Sequence, residues 1–141
     1  MPKSAEDNYY AAINRVPLLT ATEEILCGRR VQAMMRLLED KPKGPYTAQE
    51  QRTLRFGRRA KERMISANLR LVAHVAKRNT HLAQTMTFMD IVQEGSIGLI
   101  RGVEKFDPER GYKFSTYAYW WIRQGISRSI QKQDRVIRLP V

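Results

Sequence analysis

The segment Phe114-Ser-Thr-Tyr-Ala-Tyr-Trp-Trp-Ile-Arg-Gln-Gly-Ile-Ser-Arg-Ser-Ile130 is the one that the rest of this chain serves. Ser115 can cap a helix, and a rotation of about 100° per residue then gathers the apolar positions on one side. We expect that side to be buried: Ala118, Trp121, Ile122, Gly125, Ile126 and Ser129. The opposite arc should face solvent and holds Tyr117, Trp120, Gln124, Ser127, Arg128 and Gln131.

The mixture of side chains on this solvent arc is typical of a nucleic-acid surface. Aromatic rings can stack on bases, amides and hydroxyls can reach base edges, and guanidinium groups bind phosphates. The alternative is that Trp120 and Trp121 both pack inward, which is the commoner arrangement for a lone aromatic pair. We favour the nucleic-acid interpretation because the segment has a single acid, Asp134, and many bases. Those are Arg123, Arg128, Lys132, Arg135 and Arg138.

Composition points to the same class of partner without choosing it. The chain has 141 residues and a formal net charge of +11, which suits one domain with a real core and a polyanionic ligand. Ribosomal or membrane-surface binding would explain the charge alone equally well. Cys27 is the single cysteine, and no zinc spacing surrounds His74 or His81, so we expect no metal and no cofactor. No apolar run approaches the roughly 18 residues of a membrane span, so we expect a cytoplasmic protein.

Prolines, glycines and capping residues divide the chain into predicted helices. Pro17 should end a short amphipathic helix over residues 7–15, and Thr20-Ala-Thr-Glu23 resembles a capping box that opens a second helix. The breaker cluster Lys41-Pro-Lys-Gly-Pro45 marks the best internal boundary. We therefore predict an amino-terminal helical lobe over residues 1–45 and a helical domain over residues 46–141.

A third helix should open at Thr47 and continue to about Arg78, because apolar residues recur there at helical spacing. Basic side chains crowd its remaining surface. We interpret most of them as an ordinary solvated face: Arg52, Arg55, Arg58, Arg59, Lys61 and Arg63.

After a loop over residues 79–87, Thr85 or Thr87 can cap a helix that buries an apolar stripe from Phe88 to Phe106. Its glycines cost helix propensity, about 1 kcal/mol each against Ala, which is tolerable if another helix packs closely: Gly95, Gly98 and Gly102.

The arc opposite the stripe holds Asp90, Gln93, Glu94, Ile97, Arg101 and Glu104. Acids repel phosphates, so this arc should face a protein, the alternative being an ordinary polar helix face. Asp107-Pro-Glu-Arg-Gly111 then makes a turn.

Three motifs together resemble a known family. The run Gly111-Tyr-Lys-Phe-Ser-Thr-Tyr-Ala-Tyr-Trp-Trp-Ile-Arg-Gln124, the preceding Asp90-Ile-Val-Gln-Glu-Gly-Ser-Ile-Gly-Leu99 and the following Arg138-Leu-Pro140 resemble the promoter-melting region of bacterial RNA polymerase sigma factors of the primary-like, sigma-70 type. Weaker resemblance runs from Asn68-Leu-Arg-Leu-Val72 back to the amino terminus, and Tyr119 and Gly125 resemble the secondary sigma factors of cyanobacteria and plastids. The resemblance implies an all-α, compact helical bundle with a small amino-terminal helical lobe. It also implies a non-enzymatic transcription initiation factor.

The resemblance further implies two partners, the polymerase core and promoter DNA, in a bacterial cytoplasm at the nucleoid. The clamp helices of the largest polymerase subunit would contact Asp90, Gln93, Glu94, Ser96 and Ile100. An anti-sigma or activator protein is a further candidate partner. Since sigma factors of this type continue into further domains, we expect a longer natural protein than one that stops at Val141.

Promoter contacts follow from the same resemblance as three groups. A flipped non-template adenine of the −10 element would be enclosed by Phe106, Arg110, Tyr112, Thr116 and Tyr117. The upstream duplex edge would be contacted by Trp120, Trp121, Gln124, Ser127 and Arg128. A second pocket for a flipped base would comprise Asn68, Leu71 and Ser115, and the amino-terminal lobe would contact the discriminator. Ser127 and Tyr119 depart from the commoner residues, which would retune the upstream edge.

Two other classes of function compete with this assignment. A stand-alone regulator could place a helix in the major groove, and it would then bind duplex DNA without polymerase. A nucleic-acid-processing enzyme would need a nucleophile with its base, a phosphate-cradling glycine loop or a metal set, and the sequence has none of these patterns.

Overall fold

A computed structural model describes the backbone of residues 4–138 and the side-chain surroundings of residues 4–133. Within that range the chain is helical and contains no strand, which confirms the all-α prediction. The helices are α1 (Ala5–Asn14), α2 (Ala21–Asp40), α3 (Ala48–Ala67), α4 (Leu69–Asn79), α5 (Phe88–Lys105) and α6 (Phe114–Arg138). The predicted helix end at Leu139-Pro140, and the basic side chains of Arg135 and Arg138 beside Asp134, lie outside the described residues.

Capping boxes fix where four of these helices begin. In α2, Thr20 Oγ1 accepts the Glu23 N–H at 3.1 Å, while the Thr20 N–H donates to Glu23 Oε1 at 3.0 Å. The same reciprocal pair opens α1, α3 and α5, at Ser4, Thr47 and Thr87. Each box satisfies backbone donors that would otherwise lack a partner, so the predicted starts at Thr20, Thr47 and Thr87 are confirmed.

The predicted cap at Ser115 is wrong. Helix α6 already begins at Phe114, and Ser115 is an exposed residue of its first turn. The Phe114 N–H donates instead to Glu24 Oε2 of α2 at 3.4 Å. A carboxylate from a distant helix therefore supplies the acceptor that the local sequence was expected to supply.

The predicted single helix from Thr47 to Arg78 is also wrong, because Asn68 interrupts it. Asn68 has φ −113° and ψ 9°, and its backbone N–H bonds to Ile65 O. Its side-chain Nδ2 donates to Met64 O at 2.7 Å and so replaces the backbone donor that a continuous helix would place there. The chain bends at this residue into the separate helix α4.

Helices α5 and α6 form the centre of the fold and pack with their backbones almost in contact. A Cβ on Gly98 would overlap the carbonyl oxygen of Trp121 and lie 3.0 Å from its carbonyl carbon. A Cβ on Gly125 would lie 2.9 Å from Glu94 O. The close packing expected from the glycines is confirmed.

The buried stripe of α6 is shifted from the predicted one. Its buried side chains are Phe114, Ala118, Ile122, Ile126 and Ile130, whereas Trp121, Gly125 and Ser129 are half-buried. The shift arises because α5 covers one flank of α6 and α4 contacts another, so that burial is centred on the Ala118–Ile122–Ile126 line. Trp121 consequently lies at the rim of the core.

The α2–α3 pair is an antiparallel hairpin whose tip is the breaker cluster near residue 45. Val31 and Met34 from α2 and Leu54 from α3 belong to the same hydrophobic core as Leu99 and Ile122. Gly57 of α3 lies against Met34 so closely that a Cβ there would overlap it. The amino-terminal segment is thus packed on the rest of the described chain, and its division at residue 45 into a separate lobe stays a prediction.

Substitution of Gly98 by alanine tests the α5–α6 contact. Alanine should favour the helix by about 1 kcal/mol over glycine, yet its methyl group meets backbone that cannot move aside. We expect Gly98→Ala to lower the free energy of unfolding by about 1–3 kcal/mol in urea denaturation. Gly102→Ala is the matched control, since its Cβ would meet only Trp121 side-chain atoms at 3.2–3.3 Å. Equal stability of Gly98→Ala and the parent would contradict the close approach.

Candidate nucleic-acid interface

The connection from α5 to α6 carries the aromatic side chains that the sequence singled out. Pro108–Arg110 form a short 3₁₀ turn, and Gly111 follows with φ 88°, a backbone conformation that favours glycine. The turn predicted over Asp107–Gly111 is therefore confirmed. It reverses the chain and leaves Tyr112 45 % exposed beside the first turn of α6.

Four residues around this connection line a shallow cavity of about 390 Å³, which we call the aromatic cleft: Tyr112, Thr116, Tyr117 and Trp120. The rings of Tyr112 and Tyr117 are stacked, with centroids 6.2 Å apart and planes 22° apart. Trp120 is 57 % exposed. The cleft thus presents aromatic surface that a planar, apolar-faced ligand can cover.

Tyr117 is half-buried, whereas the helical wheel predicted that it lies on the solvent arc. Its hydroxyl donates to Lys105 O at 3.2 Å, and its ring lies 5.8 Å from Phe106 and 6.4 Å from Trp121, centroid to centroid. The last carbonyls of α5 lack intrahelical donors, and the tyrosine hydroxyl satisfies one of them. Tyr117 is therefore held in place by the core while part of it lines the cleft.

Phe106 is only 2 % exposed, so it offers almost no surface to a ligand. Its ring packs edge-to-face on Phe114, with centroids 5.0 Å apart, beneath Tyr117. That Phe106 helps to enclose a base stays a prediction, and in this structure its ring packs against that of Tyr117. Arg110 is exposed beside the cleft and pairs loosely with Asp107, Nε to Oδ2 at 3.5 Å.

The two tryptophans are not equivalent. Their rings meet edge-to-face with centroids 5.1 Å apart, and Trp121 is half-buried with the Lys105 ammonium 5.8 Å from its ring centroid. Trp120 faces solvent, so the alternative in which both rings pack inward is wrong. The remaining side chains predicted for the upstream edge, Gln124, Ser127 and Arg128, are all exposed along α6.

Sequence reasoning missed that the acidic arc of α5 and the solvent arc of α6 share one groove. This groove of about 440 Å³ is lined by Glu94, Ile97 and Arg101 from α5 and by Trp120, Gln124 and Arg128 from α6. Ile97 is 47 % exposed there. The glycines could have predicted this groove. Gly98 and Gly125 let the backbones of α5 and α6 approach closely, so the side chains that flank them on the two helices lie near one another.

The residues predicted to contact a protein differ in exposure, and none of them is fully buried. Asp90 and Gln93 are exposed and Glu94 is half-buried, whereas Ser96 and Ile100 are half-buried at the edge of α5. Ser96 Oγ already donates to Val92 O at 2.8 Å.

Two acids of the α5 arc already have partners within this chain. The backbone N–H and the hydroxyl of Thr87 hold the pKa of Asp90 below its ordinary value. Glu104 forms an ion pair with Lys61 at 3.2 Å, so it belongs to the α3–α5 contact. Glu104 is therefore engaged within the chain, whereas Asp90 stays exposed at the start of α5.

The second group of predicted base contacts surrounds the bend at Asn68. The side-chain Nδ2 of Asn68 is engaged with Met64 O, Leu71 packs half-buried against the core, and Ser115 is exposed in the first turn of α6. Their assignment as one pocket stays a prediction.

Helix α2 braces the connection that carries the aromatic cleft, a role with no obvious sequence signal. Gln32 Nε2 donates to Phe106 O at 2.6 Å and to Glu104 O at 3.1 Å. Arg29 Nε contacts Glu109 Oε1 at 2.6 Å, and this guanidinium lowers the pKa of Glu109. The connection is thus held at the end of α5 by Gln32 and at the 3₁₀ turn by Arg29.

Other kinds of site are not found among residues 4–138. No group of three or more His, Cys, Asp or Glu side chains converges there as metal ligands would. Nor does that part of the chain include a helix long and apolar enough to cross a membrane.

Comparison with known proteins decides the family. Residues 64–136 match Sigma-70 region 2, and residues 7–37 match Sigma-70 factor, region 1.2. The chain belongs to the sigma-70 family. Among its curated relatives, RNA polymerase sigma factor SigA4 of Synechococcus elongatus is 53% identical over 133 residues, which cover 94% of this chain and 42% of the relative. The resemblance expected from the sequence is confirmed.

Other relatives, one cyanobacterial and one from Streptomyces, match the same share of this chain. RNA polymerase sigma-B factor of Nostoc is 46% identical over 94% of this chain and 45% of the relative. RNA polymerase principal sigma factor HrdC of Streptomyces coelicolor is 44% identical over 94% of this chain and 41% of the relative. This sigma-70 chain therefore spans less than half the length of these curated relatives.

Stability measurements on three variants test the geometry of the aromatic cleft. Tyr117→Ala should lower the free energy of unfolding by about 2 kcal/mol or more, because it removes a ring packed on Phe106. Tyr117→Phe should cost about 1 kcal/mol, the worth of the hydroxyl bond to Lys105 O. Trp120→Ala should cost less than about 1 kcal/mol because the ring is mostly solvated. A reversed order for positions 117 and 120 would contradict this geometry.

Proposed function

We propose that this chain is the part of a transcription initiation factor that binds RNA polymerase core and recognises and melts the promoter −10 element as non-template single strand. It acts without catalysis of its own, in the bacterial cytoplasm at the nucleoid. The observation that supports this most directly is the aromatic cleft, an exposed aromatic surface in a sigma-70 chain of net charge +11. The polymerase and the promoter are its proposed partners.

The energetics of the cleft suit strand capture. Extruding a base from a duplex costs a few kcal/mol, and stacking on an aromatic ring returns about 1–3 kcal/mol per base. Stacking on the Tyr112–Tyr117 pair can therefore offset local opening without ATP. A flipped adenine would contact Tyr112, Thr116 and Tyr117, with Arg110 toward its phosphate and Phe106 beneath Tyr117.

The remaining promoter contacts follow the order of side chains along α6. Trp120, Gln124 and Arg128 recur on one exposed line, and we assign them to the edge where duplex DNA enters. Trp121 supports Trp120 through its edge-to-face contact, and Ser127 lies beside that line. Asn68, Leu71 and Ser115 are proposed for a second flipped base.

Polymerase binding is assigned to the exposed side of α5. The amino-terminal half of α5 carries Asp90, Gln93 and Glu94, and its two acids would repel DNA phosphates. The clamp helices of the largest polymerase subunit are the proposed partner of this surface. Ser96 and Ile100, which are half-buried like Glu94, extend the same assignment along the helix. An anti-sigma or activator protein would compete for or extend these surfaces.

Single-strand binding tests the promoter assignment. Tyr112→Ala removes an exposed ring of the cleft and should weaken binding of a single-stranded −10 oligonucleotide by about 5- to 150-fold in fluorescence anisotropy. Tyr112→Phe should be milder because the ring remains. Tyr46→Ala is the control, since Tyr46 is a half-buried tyrosine in the α2–α3 connection, outside the cleft and outside the proposed promoter contacts.

Two outcomes would overturn the promoter assignment. One is equal affinity of the parent for the −10 strand and for a scrambled strand of the same length. The other is tighter binding of −10 duplex than of −10 single strand without polymerase, which would favour the stand-alone duplex-binding regulator.

Charge reversal on α5 tests the polymerase assignment. Glu94→Lys combined with Gln93→Ala should reduce pull-down of a clamp-helix fragment by tenfold or more. The variant replaces an acid in the proposed interface by a cation and so removes the charge complementarity. Single-strand DNA affinity should not fall, since neither residue lines the aromatic cleft. Equal loss of both activities would indicate misfolding, and circular dichroism distinguishes that case.

A further inference from the structure

The outer face of α3 carries a row of arginines that the proposed function does not use. Arg52, Arg55, Arg58 and Arg59 are all exposed, on the side of the helix away from its buried residues Leu54, Gly57, Ala60 and Met64. We call these four residues the arginine stripe. The sequence pattern favoured an ordinary solvated face. The acid on this face of α3 is Glu62, which is exposed one turn beyond Arg58 and Arg59 and forms no ion pair with them among residues 4–133.

The stripe differs from the other basic side chains of α3 in lacking acidic partners. Lys61 pairs with Glu104 at 3.2 Å, and Arg63 pairs with Glu23 at 3.4 Å. Across residues 4–133, none of the four stripe arginines forms an ion pair. Several of them are three or four residues apart, as are Arg55 and Arg59. Repulsion between like charges at this spacing destabilises a helix. An anionic partner would relieve this repulsion.

An exposed aromatic ring lies at the edge of the stripe. Phe56 is 39 % exposed and stands one helical turn from both Arg52 and Arg59. The guanidinium carbon of Arg30, from α2, lies 5.3 Å from the Phe56 ring centroid. The hairpin thus brings a fifth guanidinium to the edge of the same surface, and holds it there by a cation–π contact.

The chemistry of this surface fits a nucleic-acid backbone. Arginine binds phosphate oxygens with a planar set of donors. From Arg52 to Arg59 the helix rises about 10 Å, so the four guanidinium groups fall within two turns and can reach neighbouring phosphates of one backbone. An acidic protein partner would be expected to meet an apolar centre, and Phe56 is the one large apolar side chain exposed on the described part of α3.

We propose that the arginine stripe is a second, sequence-independent binding surface for the phosphate backbone of duplex DNA. It acts separately from the aromatic cleft and does not require that the −10 assignment be correct. Its contribution is affinity and its dependence on salt, because phosphate contacts hold DNA without reading its sequence.

A charge-matched pair of triple variants tests the proposal. The stripe variant is Arg52→Gln, Arg55→Gln and Arg59→Gln. The control variant is Arg15→Gln, Arg36→Gln and Arg78→Gln, which removes the same charge from exposed positions of the chain outside α3. The probe is a duplex of about 20 base pairs with scrambled sequence, titrated by fluorescence anisotropy at several salt concentrations. The logarithm of the binding constant is plotted against the logarithm of the salt concentration.

The expected result is a loss of slope specific to the stripe. Each lost phosphate contact reduces the slope by about 0.9, so the stripe variant should lose about 2.7 and the control less than about 1. An equal loss in both variants, or an unchanged slope in the stripe variant, overturns the proposal. A stripe that serves an acidic protein gives the unchanged slope. The stripe variant should also melt no lower than the parent, since it removes like-charge repulsion.

A second measurement separates this proposal from the proposed function. The ratio of affinities for −10 and scrambled single strands should be unchanged in the stripe variant and reduced in Tyr112→Ala. If the parent shows no preference for the −10 strand, the −10 assignment fails while the duplex slopes still decide the stripe. If the stripe variant loses that preference without unfolding, the stripe is part of the cleft, and its independence is disproved.

Discussion

The near-contact of two helix backbones at Gly98 sets the positions of the α5–α6 groove and of the aromatic cleft. Because the Trp121 carbonyl occupies the space where a Gly98 side chain would stand, α5 and α6 cannot rotate about their axes without a clash. Their flanking side chains are therefore fixed relative to one another. Glu94 and Ile97 face Trp120 and Gln124 across one groove for this reason, and the aromatic cleft opens at the end of the same helix pair.

The carboxyl end of α5 is the second fixed point, and it works through backbone oxygens. Helix ends leave carbonyls without donors, and here Gln32 takes those of Glu104 and Phe106 while the Tyr117 hydroxyl takes that of Lys105. The donors come from α2 and α6, so three helices converge on one turn of backbone. A cleft on a loop would ordinarily be mobile, but this one is tied to the core from both sides.

Sequence reasoning was accurate where the physics is local and failed where a partner comes from elsewhere in the chain. Capping boxes involve residues three apart, so the helix starts at Thr20, Thr47 and Thr87 could be predicted. The start of α6 depends on Glu24, ninety residues away, and the break at Asn68 depends on a side chain competing for a carbonyl. For the candidate site, a helical wheel gives only the mean direction of a side chain. It placed Trp120 correctly but could not foresee that Tyr117 leans onto Phe106, or that Phe106 lies beneath it.

The distribution of charge separates two tasks that a DNA-binding protein must perform. The aromatic cleft is lined by three aromatic rings and a threonine, so whatever it binds is selected by shape and stacking, with little long-range attraction. The arginine stripe has the opposite character, with dense charge beside a single exposed ring. Phosphate contacts attract and orient DNA without discriminating sequence, whereas contacts to bases discriminate at short range. Under the two proposals together, the stripe raises the local concentration of DNA, and the cleft selects the strand that is bound through contacts to its bases.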